Sequence, residues 1–296
     1  MSHQNKSPQK QEGSKMSFGR KSTWDKQILL DISSVCPHKC VYCAHQNLGL
    51  HTPELMDDKI FYKIVDILKH DGVTGIFPYM SGEPFCHPHI HEFLKYISQA
   101  GISINMATKA GVPIDPKALE NTVTDFARRG KKLVFEITMP SLKEEDMVKE
   151  FVTCNPKVIK ANIDMMMDLA KRSKGLELIF ITVVTDANSQ NLKENKEFFN
   201  SRGFRWVRKK AGYWLNVKPV GVSQVRHTLD RCAFTTHPAI SPKGNVTICC
   251  HDFLFQMNLG NVIEQGSITK IINSAEYQKT LEAGNNYSLP LCKGCV

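Results

Sequence analysis

The sequence predicts an α/β fold followed by a small cysteine-rich α+β extension. Between residue 23 and Gly221, six strand-like stretches alternate with helix-like stretches, and after Gly221 the alternation stops and cysteines return. Such alternation implies parallel strands joined by right-handed βαβ crossovers. A closed barrel of eight units needs about 250 residues, whereas roughly 200 are present here. We therefore predict a first domain at 23–221 and an extension at 222–296, preceded by a disordered polar and basic tail at 1–22.

The strand predictions follow short apolar runs. Pro78 would interrupt regular pairing in the second run, because proline cannot donate to the ladder. The predicted strands are 28–32, 76–80, 102–107, 133–138, 178–184 and 204–207.

The helix predictions rest on apolar residues at three- and four-residue steps and on capping residues. The first helix is predicted to begin after Asp57 and to end at Gly72. In the fourth, Asn155 is the predicted cap and Pro156 stands in the first turn. This fourth helix covers 156–172, and the other helices are predicted at 89–99, 116–129 and 192–201.

Composition limits the classes of function. The chain has 296 residues, ten of them cysteines, and 42% are hydrophobic. Ten cysteines are more typical of metal ligands than of disulfides in a chain without a leader or a long apolar run. We therefore expect a cytoplasmic protein with no membrane span. The net charge of +9 suggests nucleic-acid binding, but no RNA-binding signature is visible and we expect no such partner.

Three cysteines directly follow the first predicted strand. Cys36, Cys40 and Cys43 are separated by three residues and then by two. Clusters with four irons are normally held by four cysteines, so three cysteines leave one iron open to another ligand. The alternative is a zinc site, which takes four ligands. The candidates for its fourth ligand are His38, His45 and Cys86.

This Cys-x3-Cys-x2-Cys pattern, with Tyr42 before its last cysteine, resembles the radical S-adenosylmethionine (SAM) enzymes. The resemblance implies a partial (β/α)6 TIM-like barrel, with its site residues at the carboxyl ends of the strands. It also implies that the open iron of a [4Fe-4S] cluster binds the amino and carboxylate groups of SAM.

Residues 81–84, Ser-Gly-Glu-Pro, follow the second predicted strand and look like the family motif for the SAM amino group. Gly82 allows close approach of the backbone, and Glu83 can accept from an ammonium. The sequence also departs from the family. Lys109 stands where many members have asparagine, and the glycine-rich motif of the fifth strand is absent.

Other residues are predicted to contact SAM, with ordinary packing as the alternative for each. Tyr42 would lie beside the adenine and Thr108 follows the third strand. Glu136 and Thr138 end the fourth strand, where they would reach the ribose or the carboxylate.

The returning cysteines resemble the SPASM and twitch extensions of the family, which hold auxiliary iron–sulfur clusters. Cys232, Cys249, Cys292 and Cys295 would hold one [4Fe-4S] cluster, as in the shorter twitch type. A zinc ribbon is the alternative. Cys250 competes with Cys249 for the ligand role. A turn at 242–245 and a helix at 268–281 are predicted within the extension.

The resemblance implies reductive cleavage of SAM to a 5′-deoxyadenosyl radical, which takes hydrogen from an unactivated C–H bond. Four thiolates leave no iron open, so the second cluster would accept an electron. Residues 249–253, Cys-Cys-His-Asp-Phe, and the short extension resemble family members that dehydrogenate a sugar- or cyclitol-type alcohol. Arg208, ending the sixth strand, is predicted to hold the substrate and stabilise an alkoxide, since arginine is a poor base. The alternative for Arg208 is a surface cation.

Two other functions stay open from sequence. One keeps the cofactors but modifies a ribosomally made peptide, and the other is a non-enzymatic zinc or iron–sulfur module that binds nucleic acid. The expected partners are a small-molecule or peptide substrate and an external one-electron reductant such as flavodoxin or ferredoxin.

Overall fold

A computed structural model describes residues 24–43, 53–211, 232 and 237–294. The predicted tail at 1–22, the predicted boundary at Gly221 and the cluster residue Cys295 lie outside these ranges. No helix in the described ranges is long and apolar enough to cross a membrane.

One sheet runs through the described chain. Its strands are β1 (Gln27–Leu30), β2 (Gly75–Phe77), β3 (Ser103–Thr108), β4 (Leu133–Thr138), β5 (Leu176–Val184), β6 (Arg205–Lys210), β7 (Ala239–Ile240) and β8 (Val246–Thr247). Their order in the sheet is β6-β5-β4-β3-β2-β1-β7-β8. The first six strands are parallel neighbours in chain order, which confirms the predicted α/β arrangement. The sheet is open, because β6 and β8 each have one neighbour.

Helices connect the parallel strands. Their predicted caps are confirmed, since the Asp57 side chain accepts from Lys59 N at 2.9 Å and the Asn155 side chain accepts from Lys157 N at 3.1 Å. The helices are α1 (Asp58–His70), α2 (Ile90–Gln99), α3 (Pro116–Arg128), α4 (Glu144–Phe151), α5 (Pro156–Arg172), α6 (Leu192–Ser201), α7 (Val262–Gln265), α8 (Ile268–Ile272) and α9 (Ala275–Asn285).

Alternate residues of β4 show the two faces of the sheet. Leu133, Phe135 and Ile137 are fully buried in the main hydrophobic core, whereas the intervening side chains, including Glu136, are only partly buried. Successive side chains of a strand point to opposite faces. The partly buried face therefore lines the interior of the open barrel, and the other face packs against the helices.

Several elements differ from the predictions. The second strand, predicted at 76–80, ends at Phe77, directly before Pro78. Helix α4 was not predicted, because eight residues with only Met147 and Phe151 as buried apolar positions give a weak periodic signal. The helix predicted at 268–281 is two helices, α8 and α9. The chain breaks between them because the Ser274 side chain caps the second helix, accepting from Tyr277 N at 3.1 Å.

The extension, residues 237–294, continues the barrel sheet. β7 pairs in parallel with β1, with Leu29 opposite Ala239 and Leu30 opposite Ile240, and β7 and β8 form an antiparallel hairpin. The predicted turn at 242–245 is confirmed. Gly244 has a φ of +87°, in the left-handed region that glycine adopts without steric cost.

Asp71, directly after α1, ties the barrel to the extension. Its Oδ2 accepts from Ser267 Oγ at 2.7 Å and from Thr269 N at 2.9 Å. Burial alone would raise the pKa of Asp71, but these hydrogen bonds outweigh it and leave the pKa lowered. The carboxylate thus caps the first turn of α8 from another part of the fold.

Replacing Asp71 with alanine is expected to destabilise the protein by about 1–2 kcal/mol, the typical cost of losing a cap and leaving buried donors unpaired. Thermal unfolding of the cofactor-loaded protein measures the effect. Asp66→Ala is the matched control, because Asp66 lies exposed on the same helix and accepts one hydrogen bond, from Tyr96 Oη at 2.8 Å. Equal shifts in the two variants would contradict a special role for Asp71.

Candidate active site

The loop that carries the three N-terminal cysteines follows β1 and is held by the end of α4. Lys39 N donates to Phe151 O at 3.0 Å, and Val41 N donates to Glu150 O at 2.9 Å. The unpredicted helix therefore shapes the cysteine loop through main-chain hydrogen bonds.

Cys36, Cys40 and Cys43 lie on this one loop, and Lys109, whose Nζ is 5.8 Å from the ring centroid of Tyr42 in the loop, acts electrostatically on all three thiols. Burial raises the pKa of Cys36 to about 12 and that of Cys40 to about 11. Free thiolates are thus disfavoured here, whereas coordinated iron supplies the positive charge that removes the thiol protons.

The arrangement of these thiols suits a cluster. Within the described residues, no group of three or more His, Cys, Asp and Glu side chains is compact enough for one metal ion. A four-iron cubane does not need its cysteines around one metal ion, because each cysteine ligates a different iron. Three cysteines on one loop therefore suit a cubane with one open iron.

Unpaired polar atoms surround the same loop. The two ring nitrogens of His38, Tyr42 Oη and Glu150 Oε2 are buried and have no hydrogen-bond partner in the described part of the chain. Buried polar atoms are nearly always paired, so a bound group or water is expected here. A side chain at Gly111 would overlap the His38 ring, which explains the glycine.

The predicted Gly-Glu-Pro motif packs against the cysteine loop. A Cβ at Gly82 would clash with Ser33 O and would lie 2.7 Å from Val35 O, so only glycine fits. Glu83 N donates to Val35 O at 2.9 Å. Glu83 Oε1 accepts from Thr108 Oγ1 at 2.7 Å. The structure therefore brings Gly82, Glu83 and Thr108 to the cysteines, as expected for one pocket.

Lys109 adds a positive charge to this pocket. Its backbone N donates to Glu83 Oε2 at 2.9 Å, and its Nζ lies 5.8 Å from the ring centroid of Tyr42 and 5.6 Å from that of Phe151. Burial lowers the pKa of Lys109, but the cysteine thiols and Glu83 outweigh burial and leave it raised. The sequence showed this residue only as a departure from the family pattern.

Glu136 lies on the interior face of β4. Its Oε1 accepts from Asn105 Nδ2 at 3.1 Å and its Oε2 from Lys209 Nζ at 2.9 Å. Thr138 lies two residues further along, at the carboxyl end of the strand. Sequence reasoning missed Asn105 and Lys209, although the two-residue period of a strand puts each on the interior face.

Arg208 does not join this interior group. It pairs in register with Thr182 of β5, whose Oγ1 accepts from Asn195 Nδ2 of α6 at 3.1 Å. Thr182 therefore faces the helices, and Arg208 shares that face and is exposed. The interior position of β6 belongs to the next residue, Lys209.

In the extension, a buried carboxylate organises the segment around the central cysteines. Asp252 Oδ2 accepts from Thr247 Oγ1 at 2.9 Å and from Met257 N at 2.9 Å, and Oδ1 accepts from Gln256 N at 2.9 Å. Asp252 is thus a structural acceptor that fixes the turn containing Cys249.

Cysteines of the extension approach each other and the barrel. Burial raises the pKa of Cys292, and the nearby thiol of Cys232 adds to the effect. Burial also raises the pKa of Tyr79, and the charges of Glu136 and Cys250 raise it further. Cys250 of the extension therefore acts electrostatically on Tyr79 of the barrel.

Two family models cover most of the chain. The model described as Radical SAM superfamily matches residues 30–199, and SPASM, described as an iron-sulfur cluster-binding domain, matches residues 232–296. No curated protein sequence matches the chain.

Solved structures share the fold. BtrN in complex with AdoMet and 2-DOIA is 14% identical over 91% of this chain and 92% of its own, with a TM-score of 0.56. Native anSMEcpe with bound AdoMet is 14% identical over 91% and 88%, with a TM-score of 0.66. Streptococcus suis SuiB bound to precursor peptide SuiA is 14% identical over 91% and 70%, with a TM-score of 0.64.

These likenesses confirm the partial barrel with a C-terminal cysteine-rich extension. The first family model covers more than half of the chain, and the buried thiols fit its cofactor. The chain belongs to the radical SAM superfamily, with SAM and iron–sulfur clusters as its cofactors and a SPASM-type domain at its carboxyl end.

Proposed function

We propose that this radical SAM enzyme is an oxidoreductase that dehydrogenates a sugar- or cyclitol-type alcohol. When bound, the first cluster and SAM supply an electron and a 5′-deoxyadenosyl group that takes hydrogen from an unactivated C–H bond, and the second cluster accepts one electron. The observation that carries the proposal is the contact between barrel and extension. β7 of the extension pairs with β1 of the barrel, and the charges of Glu136 and Cys250 both act on Tyr79, which supports a substrate in the interior lying beside the segment that holds the second cluster.

Residue roles follow from chemistry and position. Cys36, Cys40 and Cys43 hold the first cluster, and Glu83 accepts from the SAM amino group. Gly82 lets the backbone of its loop pack closely against the cysteine loop. The second cluster is held by Cys232, Cys249, Cys292 and Cys295.

The reaction balances for an alcohol. The carbinol carbon loses a hydrogen atom to the nucleoside, the hydroxyl loses a proton to solvent, and one electron leaves for the second cluster. The products are a ketone, methionine and 5′-deoxyadenosine. An external one-electron reductant supplies the electron that cleaves SAM.

The test uses reconstituted enzyme with SAM, a one-electron reductant and sugar or cyclitol alcohols carrying deuterium on the carbinol carbon. We expect deuterium in the 5′-deoxyadenosine and a ketone as the product. Oxidation of none of the alcohols, together with modification of a peptide, would reject the alcohol substrate. A pull-down with a leader peptide addresses that alternative directly.

Lys109 is proposed to raise the reduction potential of the first cluster and to strengthen SAM binding, because its positive charge acts on all three thiols. In Lys109→Met we expect a potential lower by on the order of 50–100 mV, the effect of a unit charge about 8 Å away at an effective dielectric constant near 20. Redox titration followed by electron paramagnetic resonance measures the potential, and equilibrium titration measures SAM affinity.

Lys39→Met is the matched control, because Lys39 lies in the same cysteine loop but is exposed. It removes the same charge from a position that water screens. A shift in Lys39→Met as large as that in Lys109→Met would show that net charge alone sets the potential.

A further inference from the structure

We propose that Asn105, Glu136 and Lys209 form the substrate-recognition site of the barrel, and that it takes a substrate with neighbouring hydroxyl groups, or a hydroxyl beside an amine. The inference rests on the proposed function and names the substrate class of that same site. It also assigns Glu136 to the substrate, in place of the SAM ribose.

The three side chains come from three strands and form one connected group. Glu136 lies between the other two, with one carboxylate oxygen 3.1 Å from Asn105 Nδ2 and the other 2.9 Å from Lys209 Nζ. Lys209 belongs to β6 and reaches past β5 to Glu136 on β4. The Glu136 side chain is 18% exposed. Asn105 and Glu136 are held inside the barrel, whereas the Lys209 side chain, on the edge strand β6, is 52% exposed.

One atom of this group is left without a partner. Asn105 Oδ1 is buried and accepts no hydrogen bond from any described residue. A buried acceptor of this kind costs free energy until a donor reaches it. A hydroxyl or an ammonium supplies that donor. Lys209 has N–H donors beyond the one it gives to Glu136, since an ammonium has three.

Donors and acceptors therefore lie side by side in the interior. A hydroxyl group both donates and accepts, so two neighbouring hydroxyls can pair with Asn105 Oδ1 and with Lys209 Nζ. The charges of Glu136 and Lys209 cancel, so the site does not demand a net charge on the substrate. A substrate with one hydroxyl would leave one of the two protein groups unpaired.

The position within the strands separates this site from the SAM pocket. Glu136 lies two residues before the end of β4 and Asn105 three residues before the end of β3. The SAM-pocket residue Thr108 is the last residue of β3. A cavity of about 380 Å³ borders Asn105 on the side of the strand starts, where Gln27 and Lys132 line it. That cavity lies at the opposite end of the strands from the SAM pocket, and neither Glu136 nor Lys209 lines it.

The test measures binding of three probes to the reconstituted, SAM-bound enzyme by calorimetry under anaerobic conditions. Myo-inositol and glucosamine carry neighbouring polar groups, and cyclohexanol carries a single hydroxyl. We expect at least one of the first two to bind roughly tenfold or more tightly than cyclohexanol. Asn105→Leu should weaken that binding by about tenfold or more, because it removes one hydrogen bond in a buried site.

A double variant, Glu136→Gln with Lys209→Met, gives an independent test if Asn105→Leu fails to load iron. It removes both charges of the pair, so neither charge is left unpaired. It is expected to weaken the same probe while SAM affinity stays unchanged. The matched control is Glu144→Gln with Lys160→Met, which removes an exposed Lys–Glu pair with a Nζ to Oε1 distance of 3.0 Å on the helices. The control should bind the probe as the wild type does.

Three results would overturn the inference. The first is that the wild type binds neither myo-inositol nor glucosamine. The second is that probe affinity is unchanged in both test variants. The third is that the double variant loses as much affinity for SAM as for the probe, which would return Glu136 to the SAM pocket. Release of 5′-deoxyadenosine without any probe tests the chemistry separately. An enzyme that oxidises another alcohol but binds neither probe rejects this substrate class alone, whereas an enzyme that never cleaves SAM rejects the proposed function as well.

Discussion

Replacing Cys36, Cys40 and Cys43 with alanine is expected to abolish 5′-deoxyadenosine formation and to remove about four of about eight irons per chain, as expected for two four-iron cubanes. The loop thiols are the donors on which the charge of Lys109 acts, and reductive cleavage needs the iron that they leave open. Iron analysis and chromatography of the nucleoside after anaerobic reconstitution measure both quantities.

Cys154→Ala is the control for this variant. Its thiol donates to Met147 O at 3.4 Å and has no assigned role as a cluster ligand, so iron content and nucleoside release should match the wild type. Nucleoside release that survives in the triple variant would remove the triad from its assigned role.

Replacing Cys292 and Cys295 is expected to separate SAM cleavage from substrate oxidation. The variant should keep about four irons per chain and continue to release 5′-deoxyadenosine. Oxidation of the alcohol should fall to background, because the substrate radical then lacks its electron acceptor. Parallel measurement of nucleoside and ketone in one reaction gives the ratio that reports this uncoupling.

Single variants decide which neighbouring cysteine ligates the second cluster. Cys249→Ala is expected to lose the second set of irons and Cys250→Ala to keep it, because four residues separate Gly244 from Cys249, whereas the Cys250 thiol acts electrostatically on Tyr79 of the barrel. The reverse pattern would exchange the two assignments. Ketone formation at the wild-type rate in the Cys292/Cys295 variant would show that the second cluster is not the electron acceptor.

Local signals predicted much of the fold. Asp57 and Asn155 were recognisable as caps because a side-chain acceptor before an apolar repeat satisfies the first backbone donors of a helix. Helix α4 escaped prediction, since its stability comes from Met147 and Phe151 packing in the core rather than from a long periodic pattern. Tertiary packing overrides weak local propensity in such short helices.

The residues of the candidate site were also only partly predictable from the sequence. Cys36, Cys40, Cys43, Gly82 and Glu83 were found from spacing, because a cluster loop and a close backbone turn need particular residues at fixed intervals. Lys109 could be noticed as an unusual residue, but its place among the thiols depends on the packing of β3 beside the loop after β1. No local pattern encodes that contact.

The cofactor chemistry of this protein can be predicted from its sequence, because cluster binding depends on a few thiols at short, fixed spacings along the chain. Which polar side chains meet inside the barrel depends instead on tertiary packing. Lys209 reaches Glu136 while Arg208 faces the helices. That choice depends on the register of β6 against β5, and a shift of one residue along a strand turns every side chain to the opposite face.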